Sequence, residues 1–388
     1  MIAYNSRSRD NRIMQEQAAE ALAANCISEE EYARILAGHP VTFYTPNIFI
    51  RIGLFILTVV IAAFSLGLLA LLVKSTGNSF GILLIFFGLG CYTVLEIMVH
   101  SQRHFRSGVD DALLWLAGIL VLSGIYIIVD HLHTLTLFGM IFVVALYSTL
   151  RFADRLMALV TYAALLAIVF ETMTSIGGLA NTLLPFLIMV VSIAVYFWTT
   201  ALGANRKLRH YYVCTTVVIK AACLLSFYLA GNYFVVREAG VALLDLPLQP
   251  GQDLPFGWLF WILTIATPFF YIFQGIRKKD AIFLWSGLGL IAAAVFTIRS
   301  YYHVLPVEWA LVLGGILLIA VSYALIKYLR IPRHGFTGEL TDERHLLQSL
   351  HIESLLIAET LSTTPPTPSS DFRFGGGSGG GGGAGGQY

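Results

Sequence analysis

The sequence predicts an all-α polytopic transmembrane bundle, and three observations predict it. Ten apolar stretches follow one another, each long enough to span a bilayer. Hydrophobic residues make up 57% of the chain and charged ones 12%, about half the charged share of a soluble domain. The loops between the stretches carry their positive charge on alternate sides. Lipid offers no water to the backbone, so each crossing must satisfy its own peptide groups. Helices do this, and the period-two alternation of barrel strands is absent.

Residues 1–50 are polar, with no short apolar core followed by a small-residue cleavage site, so the first span reads as retained. Residues 10–24 place Ile13, Met14, Ala18, Ala21 and Leu22 on one helical face. After a break at Asn25 and Cys26, Ser28 and Glu31 form a capping box, with Ile27 and Tyr32 in the flanking staple positions. This segment is expected to be a small cytoplasmic helical hairpin that docks rather than catalyses.

Residues 51–330 form the membrane domain. About 20 residues at 1.5 Å each cross the hydrocarbon core. On that measure the helices fall near 52–73, 80–99, 112–129, 132–150, 156–176, 181–203, 211–234, 256–276, 281–298 and 306–329. Only Asp130 to His133 separate the third from the fourth. The longest connection, roughly 235–255, contains LPLQPGQDLP and reads as a rigid exposed loop. Trp258 and Trp261 follow it where interface anchors belong.

Orientation follows from the loop charges. One set holds Arg103, Arg106, Arg151, Arg155, Arg206, Lys207, Arg209, Arg277, Lys278 and Lys279; the other holds only Lys74, Arg237 and Arg299. Ten against three puts both termini in the cytoplasm, consistent with an even number of spans. The expected location is a bacterial inner membrane.

In residues 331–361, Thr341 caps a helix whose first turn holds Asp342 and Glu343. Leu347, Leu350, Ile357 and Leu361 lie near one face of it. The helix is acidic, so its apolar face suits a protein partner better than anionic lipid. Residues 362–388 are rich first in Ser, Thr and Pro and then in Gly, too poor in apolar side chains to order themselves. Phe374 and Tyr388 bracket the glycine run and complete a candidate partner-binding set with Leu347, Leu350 and Ile357.

Two constellations bear chemistry. Lys220 sits near the middle of the seventh span and Glu171 in the outer part of the fifth, about five residues or 7 Å apart along the bilayer normal. A charge at mid-bilayer costs about 2.5–3.5 kcal/mol, so an ion pair between them, a proton or substrate site, and snorkelling of Lys220 alone are the readings. At the inner end of the second span, Glu96, His100 and His104 recur every four residues and share a face, with Asp110 and Asp111 across a short loop. Such a set is suited to a transition metal with an open water position. Arg103 and Arg106 in that loop oppose a cation, and Glu96 can pair with one of them instead. Asp130, His131 and His133 form a weaker set in a tight turn. The four cysteines have neither disulfide nor zinc spacing.

The run ISEEEYARIL ahead of a Gly-containing first span resembles a bacterial multi-pass membrane family of the DUF2157 type. The resemblance rests on residues 15–75 and overall hydropathy, and implies a topology without a catalytic motif. The tail GGGSGGGGGAGGQY resembles the aromatic-flanked polyglycine ends of TPM-domain membrane proteins, which implies a shared kind of partner and no activity.

No phosphate-binding glycine loop, GxSxG elbow or HExxH motif occurs, no cofactor is called for, and nothing supports nucleic-acid binding. Membrane lipid and a protein partner at the C-terminal segment are the expected contacts; no oligomeric state follows from the sequence. The function expected first is a non-catalytic scaffold or regulatory subunit docking partners through its cytoplasmic ends. A secondary transporter of a small solute, with a midplane site near Lys220, is the alternative. Ten helices split as five and five invert the second half, a frequent transporter architecture, although no internal repeat supports it. A membrane-embedded metal-dependent hydrolase built on Glu96, His100 and His104 is the third.

Overall fold

The structure is a computed structural model that describes residues 6–301, apart from 42, 45, 75, 102–105, 205, 245–255 and 279, together with Val312, Gly315, Ile316, Ile319, Tyr323 and Lys327. The chain divides into a unit over 1–321 and another over 322–388; only Tyr323 and Lys327 of the second are described. Among the described residues the regular elements are helices without strands.

Two short helices come first, α1 (Ser6–Ala23) and α2 (Glu29–Gly38). The capping box opens α2 in both directions: Glu31 N donates to Ser28 Oγ at 3.3 Å, and Ser28 N donates to Glu31 Oε2 at 2.9 Å. Gln15 Nε2 donates to the His39 carbonyl at 2.7 Å and Asn11 Nδ2 to the Pro40 carbonyl at 2.9 Å, which closes the hairpin. On the inward face of α1 Ala18 is buried, whereas Met14 is exposed. Arg9 is buried, lies 5.1 Å over the Tyr211 ring and donates to the Tyr211 carbonyl, so α1 rests on the end of the bundle.

Nine helices among the described residues are long and apolar enough to cross a membrane, and the protein is a multi-pass membrane protein. They are α3 (Ile48–Val73), α4 (Asn78–His100), α5 (Val109–Ile128), α6 (Thr134–Phe152), α7 (Arg155–Ile176), α8 (Leu179–Ala204), α9 (Arg206–Gly231), α11 (Gly257–Lys278) and α12 (Ala281–Tyr301). They match the first nine expected spans, with the turn between α5 and α6 at Asp130 to His133. The tenth, 306–329, falls outside the described residues except for scattered helical positions.

The spans pair as consecutive hairpins: α4 with α5, α6 with α7, α8 with α9 and α11 with α12. Small residues explain how close they come. A Cβ on Gly124 would sit 2.5 Å from the Gly81 carbonyl oxygen, so α4 and α5 touch backbone to backbone there. At the junction of α11 and α12, a Cβ on Gly275 would lie 2.8 Å from Leu284 N. By contrast α3 buries no residue fully and packs mainly on α5, presenting Phe64, Leu71 and Leu72 outward.

The expected loop over 235–255 needs correction, because its first half is helical. α9 stops at Gly231, and α10 (Tyr233–Leu244) begins one residue later. Asn232 is the cause. Its Oδ1 accepts from Val235 N at 3.2 Å and so caps α10, as an Asn at that position favours. Its Nδ2 donates to Tyr228 Oη and to Thr297 Oγ1, both at 2.9 Å, while Tyr233 N donates to Thr264 Oγ1 at 3.0 Å. Asn232, Thr264 and Thr297 are each buried, and these bonds satisfy Tyr233 N and Val235 N at the break. Arg237 then lies 5.3 Å over the Tyr301 ring and fastens α10 to α12.

Candidate functional site

Lys220 and Glu171 stand on neighbouring helices, α9 and α7, but do not meet. Among the described residues no ion pair joins them, which corrects the expected intramembrane pair. Lys220 is partly buried, and its Nζ lies 5.9 Å from the centre of the Tyr196 ring on α8. Side chains tilt toward the N-terminus of their own helix. In the antiparallel hairpin of α8 and α9, Lys220 and Tyr196 therefore lean toward each other, while Glu171 lies toward the far end of α7. Tyr196 is in turn held edge-on by Phe283, with ring centres 5.6 Å apart. Lys220 thus has an aromatic face for company and forms no ion pair among the described residues.

The acidic groups near the end of α4 are each taken by donors. Glu96 receives Arg151 as a fork, Nε to Oε1 at 3.1 Å and Nη2 to Oε2 at 3.0 Å, and Tyr92 Oη donates to Oε1 at 2.6 Å. Tyr147 Oη lies 2.7 Å from Tyr92 Oη and extends the chain of hydrogen bonds. Asp110 accepts from Arg106 N at 2.7 Å and Ser107 N at 2.8 Å, which ties down the turn before α5. Asp111 accepts from Arg51 Nε at 2.9 Å and joins the start of α3 to the start of α5.

The expected metal face of Glu96, His100 and His104 falls only partly within the described residues. His104 lies outside the described residues, and Glu96 spends both carboxylate oxygens on a guanidinium and a phenol. Among the described residues no three His, Cys, Asp or Glu side chains gather where an ion can sit, Asp130, His131 and His133 included. The arginine that takes Glu96 is Arg151, not Arg106; Arg103 is outside the described residues. Leu347, Leu350, Ile357, Phe374 and Tyr388 also lie outside them.

Comparison with family models, with curated proteins and with solved structures finds no match to this chain.

Three features escaped the sequence reading. Arg151 as the partner of Glu96 had a usable signal, since both lie within one turn of the same end of the bundle. Arg51 with Asp111 had the same one. A hydroxyl cluster that joins α7, α8 and α9 had none. There Tyr162 Oη donates to Ser192 Oγ at 2.9 Å, Ser192 Oγ lies 2.9 Å from Ser226 Oγ, and Tyr162 also bonds Ser226. Ser192 donates to the Ile188 carbonyl at 2.7 Å and Ser226 to that of Cys223 at 3.1 Å, so the cluster is satisfied within itself. Ser and Tyr barely alter hydropathy, and only tertiary proximity reveals them.

Proposed function

We propose that this protein is a secondary carrier of a small anionic solute, with Lys220 as the cation that meets it. The observation that supports this is the company Lys220 keeps. A lysine inside a span costs about 2.5–3.5 kcal/mol, and an aromatic face recovers about 0.5–2 kcal/mol of that. No ion pair among the described residues makes up the difference, whereas Glu96 and Asp111 each have an arginine. A solute that brings its own negative charge supplies it. The charge asymmetry of the loops supports a bacterial inner membrane with the arginine-rich side in the cytoplasm. A docking role for the C-terminal segment concerns residues 342–388, outside the described residues, and draws its support from the sequence alone.

The test uses full-length protein in proteoliposomes on a solid-supported membrane. Concentration jumps of inorganic phosphate, acetate and succinate are expected to give a transient current with at least one anion. Lys220→Met should abolish that current and Lys220→Arg retain part of it, both with a wild-type melting midpoint. No current with any of the three, or an unchanged current in Lys220→Met, would overturn the carrier.

A further inference from the structure

The helices α5 and α6 follow one another across a short turn, yet each packs on its other neighbour, α5 on α4 and α6 on α7. The seam left between them is a groove. One section, about 220 Å³, is lined by Gly88, Tyr92, Ala117, Gly118, Val144 and Tyr147 among others. The next section, about 470 Å³, is lined by residues that include Leu122, Ile125, Thr136, Gly139 and Met140. Val144 lines both, so the two sections adjoin. Val143 and Tyr147 are exposed along the seam, which opens it sideways.

Glycine leaves the groove empty. A Cβ on Gly139 would meet nothing within 4 Å, and one on Gly118 only Val144 Cγ1 at 3.6 Å. This is the reverse of Gly124, where the neighbouring helix already fills the space.

One end of the groove is polar and the rest is not. Tyr92 and Tyr147 form its wall at that end, Tyr92 holds Glu96, and Arg151 follows Tyr147 by one turn of α6. The side chains of Arg151 and Glu96 are 33% and 27% exposed, so the pair is reachable from outside. Tyr147 and Thr136 are eleven residues apart, about 16 Å along the helix at 1.5 Å per residue. The polar end lies at the Arg151 end of α6, at headgroup level, and Thr136 is the third residue of that helix, so the groove runs along most of the span.

We propose that the groove binds one glycerophospholipid with a zwitterionic amine headgroup, its acyl chain between α5 and α6. Its phosphodiester meets the Arg151 guanidinium and its ammonium meets the Glu96 carboxylate. The acid–base pair is neutral overall and presents both signs side by side, the pattern complementary to a zwitterion. A headgroup with only negative charge faces Glu96 with nothing to offer it. The Tyr147 phenol supplies a further hydrogen bond at the same level.

The test is native mass spectrometry of delipidated full-length protein in detergent, incubated with dioleoyl phosphatidylethanolamine or dioleoyl phosphatidylglycerol. The wild type is expected to retain one phosphatidylethanolamine, about tenfold above phosphatidylglycerol. Gly139→Phe and, on the facing helix, Gly118→Leu should each reduce retention by a similar factor. Gly53→Phe, which also has open space around it but lies on α3, should not. Glu96→Gln combined with Arg151→Gln should keep lipid binding and lose the preference for the amine headgroup. Folding of each variant is checked by its melting midpoint, and two groove variants on different helices separate occupancy from a folding defect. Unchanged retention in both groove variants would overturn the site, and equal retention of the two lipids by wild type would overturn the headgroup assignment.

Discussion

Arg151 grips Glu96 through two parallel contacts, Nε to Oε1 at 3.1 Å and Nη2 to Oε2 at 3.0 Å, across 55 residues of sequence. This fork joins the ends of α4 and α6, two helices that are not neighbours in the chain. Arg51 and Asp111 do the same for α3 and α5 at the same end of the bundle. A planar guanidinium matches a carboxylate geometrically, so each pair fixes orientation as well as neutralising charge.

Removing one member leaves the other uncompensated in apolar surroundings. Glu96→Ala and Arg151→Ala are each expected to cost about 1–3 kcal/mol, below the figure for fully buried pairs because both side chains are partly exposed. The double variant should lose less than the sum. Melting midpoints in detergent check this, and strictly additive losses would mean that the fork couples nothing.

The contact between α4 and α5 makes a sharper prediction from a single methyl group. Gly124→Ala puts a Cβ 2.5 Å from a backbone oxygen that cannot move aside, and should destabilise by about 1–3 kcal/mol. Gly67→Ala, with nothing within 4 Å of its Cβ, should be neutral or gain up to about 1 kcal/mol from helix propensity. Equal effects at the two positions would contradict the backbone contact.

Asn232 is predicted to hold α10 in place. Asn232→Leu removes the cap and takes away the hydrogen bond to Tyr228 Oη and those with Thr297, at a cost of about 1–3 kcal/mol. Amide exchange over 233–244 should accelerate in that variant while exchange in α4 and α5 stays as it was. Uniform acceleration throughout would point instead to a general loss of stability.

Topology can be read with reporters. One fused after Tyr388 is expected to report the cytoplasm, and one inserted near Gln252 the opposite side, because three spans separate them. Both on one side would show that residues 306–329 do not cross.

What the sequence determined by itself was the kind of fold and the place of the nine crossings among the described residues. Length and hydropathy along the chain suffice for that, because lipid forces every crossing to close its own hydrogen bonds. The Ser28 and Glu31 cap was equally legible, since capping is a contact within four residues. The partners of the charged groups were not. Glu96 finds Arg151 and Asp111 finds Arg51 only once α4 lies beside α5 and α6 turns its end toward them. Lys220 had a carboxylate on α7 within nominal reach along the bilayer normal, but depth alone says nothing about which way a helix is rotated. The tertiary structure turned Lys220 to Tyr196, broke the chain at Asn232 and left a groove between α5 and α6. Those outcomes depend on which helix faces meet, and that is decided by close packing of small residues, which hydropathy cannot encode.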